Sequence, residues 1–159
     1  MPLIAAMSQS GMLRRRLVVR KSRNKETMMG VEISNPAELH DPTGFGYSHV
    51  ARVSGELVIV AGQYDSDAEG HTTSADFGVQ VDNAFVNLGI ALRSAGVDFA
   101  DVAQLRTFIV GHDLDKLAIV GKKIGEIWGG RPPVQTLTGV AALALPGMLF
   151  EVDAVAVRG

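Results

Sequence analysis

Cysteine is absent from the 159 residues. That excludes a disulfide framework, a thiolate nucleophile and any thiolate-held metal. Nothing in the composition calls for an oxidising compartment, so a cytoplasmic setting is the expectation. Long apolar runs are missing as well. No stretch approaches 18 uncharged apolar residues, and no membrane-spanning helix is expected. The sequence has no HExxH pattern, no Gly-x-Gly-x-x-Gly and no phosphate loop, and "GGRPP" at 129–133 lacks the strand-to-helix context such loops require. His40, His49, His71 and His112 are scattered, without the spacing of a helix-borne zinc site. Neither a metal nor an organic cofactor is expected.

Positive charge is scarce over most of the chain. The formal net charge is -2, but seven of the fifteen basic residues fall between Arg14 and Lys25, against a single acidic Glu26. Residues 29–159 carry eight basic and sixteen acidic side chains. Such a body repels a phosphate backbone, so nucleic acid is not an expected partner. Residues 1–28 read as a basic leader without a periodic apolar face, expected to lack stable structure of its own. A transit-like segment, an expression-derived extension and sequence upstream of a start at Met28 or Met29 are the readings open for it.

What remains is enough for one core. The 159 residues are 47% hydrophobic, and residues 29–159 suit a single domain. "VEIS" from Val31 reads as a short edge strand, and "NPAELHDPTGFG" after it has turn composition. "YSHVARVSGELVIVAGQYD" reads as a β-hairpin turning at Gly55-Glu56, its second arm apolar on both faces. A helix follows, capped by Thr73 or Ser74 with Asp76 in its first turn. Phe77, Val81, Ala84, Phe85, Leu88 and Leu92 make its stripe, which ends at Ala95-Gly96. "DVAQLRTFIVG" is a strand with Ala103, Leu105, Thr107 and Ile109 on one face. A second helix places Leu117, Val120, Ile124, Ile127 and Trp128 together. "VQTLTGVAAL" and "FEVDAVAVR" are further strands, with a turn at Pro146-Gly147 between them. The expected fold class is α+β, a mixed β-sheet covered on one face by two helices. The other sheet face is left apolar and is expected to pack on identical subunits.

"FGYSHVARVSGELVIVAGQ", "ADFGVQVDNAFVNLGIALRSAG", "FADVAQLRTFIVGHDLDKLAIV" and "GVAALALPGMLFEVDAVAV", in that order from Phe45 to Val157, resemble the reactive-intermediate deaminase family. It is also called Rid or YjgF, or endoribonuclease L-PSP-like. The resemblance implies a chorismate-mutase-like homotrimer with small-molecule clefts between subunits. It also implies hydrolysis of enamines and imines derived from amino acids, without metal or cofactor. In such proteins an arginine grips the substrate carboxylate and a glutamate positions the attacking water.

Carried onto this chain, the arginine position is held by Gln135 and the glutamate by Glu151. The aromatic hydroxyl of the cleft is matched by Tyr47, and a cleft asparagine is replaced by Gly121. A glutamine cannot reproduce a charged five-donor fork. Arg131, four residues upstream and separated by Pro132-Pro133, is the candidate substitute, its alternative being a solvated surface charge. Four functional readings stand. They are a hydrolase acting on a small imine, enamine or related compound, a non-catalytic small-molecule binding protein that keeps the trimer and clefts, an endoribonuclease, and a structural partner of another protein. The acidic body counts against the third.

Overall fold

The computed structural model describes residues 30–159, so the expectation for residues 1–28 lies outside the described residues. The elements in chain order are β1 (Gly30–Ser34), a 3-10 turn (Thr43–Phe45), β2 (Val50–Ser54), β3 (Glu56–Gln63), α1 (Phe77–Ser94), a second 3-10 turn (Phe99–Asp101), β4 (Val102–Val110), α2 (Leu114–Trp128), β5 (Val134–Val140) and β6 (Phe150–Arg158). Four strands form a mixed sheet in the order β3-β6-β4-β5, parallel only between β4 and β5. β6 is antiparallel to both of its neighbours.

α1 starts where Asp76 accepts the Val79 amide at 2.9 Å. The cap is therefore Asp76 and not Thr73 or Ser74. The amides of those two residues are bound at 3.0 and 2.8 Å to the buried Asp65 carboxylate, which fixes them in the preceding loop. The helix ends at an Ala95 cap followed by Gly96, whose φ of 76° continues the chain where a β-carbon would be strained. Val81, Ala84, Phe85, Leu88 and Leu92 of α1 are buried against Val60, Leu105, Ile109, Phe150, Val152 and Ala154 of the sheet, with Val120 and Ile124 from α2. Polar side chains enter this core too, among them Thr107 of β4 and Gln80 of α1. Gln80 donates from Nε2 to the carbonyls of Ser74 (2.7 Å) and Gly147 (2.8 Å), and its Oε1 accepts the Leu149 amide (2.8 Å). That amide ties the 141–149 crossover to α1. Because β4 lies between β5 and β6, the Pro146-Gly147 turn serves a crossover and not a hairpin.

The expected hairpin of β2 with β3 does not form. β2 pairs with β1 instead, from Gly30↔Ser54 to Ser34↔Val50, and β3 pairs with β6. The reason lies just upstream of β2. Ser48 bridges to Val134 at the free edge of β5, whereas β3 occupies the opposite edge of the sheet. The chain must cross the sheet between those two points, and the β1/β2 ribbon lies close to β4 and β6, strands with both edges already paired. It therefore crosses the face opposite the helices. That face is only partly covered: Leu57 and Ile59 of β3 and Val53 of β2 stay exposed.

Gly55, the one residue between β2 and β3, sits at φ 146°, and a β-carbon there would overlap the Arg158 carbonyl oxygen. Gly55→Ala is expected to cost roughly 2–3 kcal/mol in urea unfolding. The control is Gly125→Ala in α2, where a β-carbon meets nothing. It is expected to gain about 0.5–1 kcal/mol from helix propensity.

Candidate functional site

The site is assembled at the β5 edge by the segment from Asn35 to His49. Ser48 donates from its hydroxyl to the Pro132 carbonyl (2.6 Å) and from its amide to the Pro133 carbonyl (3.0 Å), which makes residues 47–49 a strand-like extension beside β5. With Ser48 opposite Val134, Tyr47 and His49 fall on the same sheet face as Gln135. The loop ahead of them folds back as a strap. Asp41 accepts the Thr43 amide and hydroxyl at 3.0 and 2.7 Å, setting the turn that carries Phe45. Gly46, at φ 80°, brings the strap against α2, where its β-carbon position would lie 3.6 Å from the Gly121 Cα. His49 donates from Nε2 to the His40 carbonyl (3.0 Å), and its amide donates to Asn35 Oδ1 (2.8 Å). His40 Nε2 and the Tyr47 hydroxyl share a 2.7 Å hydrogen bond.

Under this strap is a cavity of about 290 Å³ lined by His40, Phe45, Tyr47, Leu117, Gln135 and Leu137. Its wall is largely apolar and holds no lysine or arginine. Gln135 donates from Nε2 to the Thr107 hydroxyl at 3.1 Å, while its Oε1 is buried without a hydrogen-bond partner.

Glu151 lies elsewhere. β4 alternates buried Leu105, Thr107 and Ile109 toward the helices with Arg106 and Phe108 on the other face. Gln135 pairs with Leu105 and Leu137 with Thr107, whereas Glu151 pairs with Phe108. Gln135 and Glu151 of one chain are thus on opposite faces of the sheet. Glu151 packs so closely on Gly62 that a β-carbon there would overlap its carboxylate, and burial, with the Asp153 charge beside it, raises its pKa above the usual carboxylate range. Asp153 itself is held by Arg106 through a two-pronged contact of 2.9 and 2.8 Å.

Of the residues expected from the sequence, the structure brings Tyr47 and Gln135 together. Gly121 borders an adjoining hollow of about 360 Å³, which shares Phe45 and Leu117 with the first. Arg131 is exposed, outside both linings, and makes no ion pair among the described residues. Of the other residues lining the cavity, none of which the sequence reading placed there, Leu117 and Leu137 come from α2 and β5, and His40 and Phe45 from an irregular segment where no periodicity assigns a direction. Among the described residues no three metal-ligating side chains cluster, and no helix is long and apolar enough to cross a membrane.

The family model described as Endoribonuclease L-PSP matches residues 40–158, from the strap to the end of β6. The chain belongs to that family. A RutC family protein of Escherichia coli K12, YjgH, is 36% identical over 110 residues, 69% of this chain and 81% of the relative. A rat protein named 2-iminobutanoate/2-iminopropanoate deaminase is 28% identical over 119 residues, 74% of this chain and 85% of the relative. Among solved structures, the Rid-family protein YyfB of Yersinia pestis superposes with a TM-score of 0.78 at 35% identity, covering 82% of this chain and all of the other. The mixed sheet with two helices is the fold of these Rid and YjgF proteins.

The Glu151 pKa fixes a sign for stability. A carboxyl whose folded pKa is raised binds its proton more tightly when native, so it lowers unfolding free energy as pH rises from the unfolded value through the folded one. Glu151→Gln is expected to flatten the stability profile over that window above 4.5. At neutral pH it should leave the protein as stable as the parent or more so, as read by urea midpoints at a series of pH values.

Proposed function

We propose that this protein hydrolyses small imines, enamines or related compounds that lack the carboxylate handle of amino-acid derivatives, in a cleft that includes the cavity beneath the 35–49 strap. The observation that carries the reading is Gln135. It occupies the position that the Rid resemblance gives to a carboxylate-gripping arginine, in a cavity whose lining holds no lysine or arginine. The rat relative's name, an imine deaminase, supports the reaction class. Loss of a charge-assisted hydrogen bond costs roughly 1.5–3 kcal/mol, or about one to two powers of ten in affinity for a keto-acid precursor.

The opposite placement of Gln135 and Glu151 bears on how a site is completed. Within one chain no carboxylate lines the Gln135 cavity. In the trimer implied by the family, the open sheet face of one subunit, which carries Glu151, would meet the strap edge of its neighbour. The exposed Leu57 and Ile59 on that face support such packing. A second reading, a binding protein without catalysis, is favoured by the same separation, since a protomer alone holds Gln135 and Tyr47 but not the water-positioning glutamate.

Sedimentation equilibrium on residues 29–159 is expected to give about three times the subunit mass. A stable monomer over a wide concentration range contradicts the cleft. For the chemistry, the parent protein is expected to hydrolyse freshly generated imines of simple ketones faster than those of 2-keto acids. Gln135→Arg is expected to tighten binding of a small 2-keto acid by about tenfold or more in calorimetry. Equal, rapid turnover of imines derived from 2-keto acids by parent and Gln135→Ala proteins removes Gln135 from the site.

A further inference from the structure

Three aromatic side chains of the strap segment pack as a unit beside the cavity. His40 and Tyr47 line it, and His49 stands nearly perpendicular to both, its ring centroid 5.0 Å from His40 and 5.5 Å from Tyr47. The His49 Nε2 faces the His40 carbonyl at 3.0 Å. A carbonyl only accepts, so that nitrogen keeps its proton whether His49 is neutral or charged, and the contact survives titration of the ring. His40 differs. Its Nε2 meets the Tyr47 hydroxyl at 2.7 Å, and a hydroxyl both donates and accepts. The direction of that one bond is therefore set by the protons on His40.

We infer that His40 is a positioning residue that decides which hydrogen-bonding role Tyr47 offers to a ligand in the cavity. With His40 neutral, the phenol is the stronger acid and the imidazole nitrogen the stronger base, so Tyr47 donates to Nε2 and its oxygen presents a lone pair to the cavity. With His40 charged, Nε2–H donates to the Tyr47 oxygen, and the phenol proton is released to a ligand. A ligand carbonyl is thus held best when His40 is charged, and a ligand O–H when it is neutral. Among the described residues, the other groups facing the pair do not supply this response. Asp41 adjoins His40, but the Thr43 amide and hydroxyl hold its carboxyl below the usual carboxylate range, so it is already ionised where an imidazole titrates. α2 and β5 contribute Leu117, Gln135 and Leu137, none of which titrates. His40 is exposed, so solvent protons reach it. The inference rests on reading the cavity as the ligand site, but it needs no catalysis.

The test follows isotope-labelled histidine rings in the full-length protein by nitrogen NMR. Neutral His40 is expected to carry its proton on Nδ1 with Nε2 bare, and neutral His49 to carry it on Nε2. Tyr47→Phe removes the phenol donor and is expected to return His40 to the Nε2–H form that free imidazole side chains favour. Cyclopentanone, which accepts but cannot donate, is expected to bind about threefold or more tightly with His40 charged than with it neutral. Tyr47→Phe and His40→Gln are each expected to abolish that pH dependence. Because Glu151 is proposed to reach a neighbouring cleft, the titration is repeated in Glu151→Gln, where the response is expected to remain. Neutral His40 with its proton on Nε2, a tautomer unmoved by Tyr47→Phe, a cyclopentanone affinity that does not rise with His40 charge, or a response lost in Glu151→Gln overturns the inference. Imine turnover separates it from the hydrolase reading. Turnover without the cyclopentanone response removes this inference and leaves the hydrolase, whereas the response without turnover does the reverse.

Discussion

The two hydrogen bonds from Ser48 to the Pro132 and Pro133 carbonyls govern much of this structure. Both acceptors sit just before β5, on prolines that are buried and hold the backbone extended. Ser48, itself 1% exposed, is thus pinned at the β5 edge. Two consequences follow from that single anchor. The chain downstream must cross the sheet to reach β3 at the far edge, which sends β2 across the face opposite the helices and pairs it with β1. The residues on either side of Ser48 must point to the helical face, which delivers Tyr47 to Gln135. The same contact that dissolves the expected hairpin therefore builds the cavity.

The polar groups of the interior divide into those that stabilise the fold and those that strain it. Asp65 is fully buried and accepts from the Thr73 and Ser74 amides and from Asn83, so its burial is compensated. Gln80 is equally satisfied. Thr72, whose buried Oγ1 has no partner, is an exception, and Gln135 and Glu151 are two more. Gln135 has a buried oxygen without a donor, and Glu151 is a carboxylate whose burial and like-charged neighbour disfavour its ionised form. An unsatisfied buried polar group costs about 1–3 kcal/mol.

Glycine placement reflects the same economy of space. Gly62 leaves room for the Glu151 carboxylate, whereas at Gly46, where the strap meets α2, the φ of 80° and not crowding calls for glycine. Gly121 has open space around its missing side chain, so nothing in the fold forbids a larger residue there. Its smallness leaves the hollow beside Phe45 and Leu117 unfilled.

Periodicity in the sequence determined both helices, the buried face of β4 through Ala103, Leu105, Thr107 and Ile109, and the α+β class, because apolar spacing reports directly on which face of a regular element is buried. The order of motifs determined the family and marked Tyr47, Gln135 and Glu151. It did not determine the partner of β2, since alternation shows that a segment is a strand but not which edge it pairs with. Nor did it determine that Asp76 caps α1, because that depends on Asp65 having already taken the Thr73 and Ser74 amides. His40 joined the site only through a loop whose course is set by contacts to distant backbone. The separation of Gln135 from Glu151 was likewise decided by tertiary structure: strand register sets which face each side chain takes, and register comes from pairing between segments far apart in the chain.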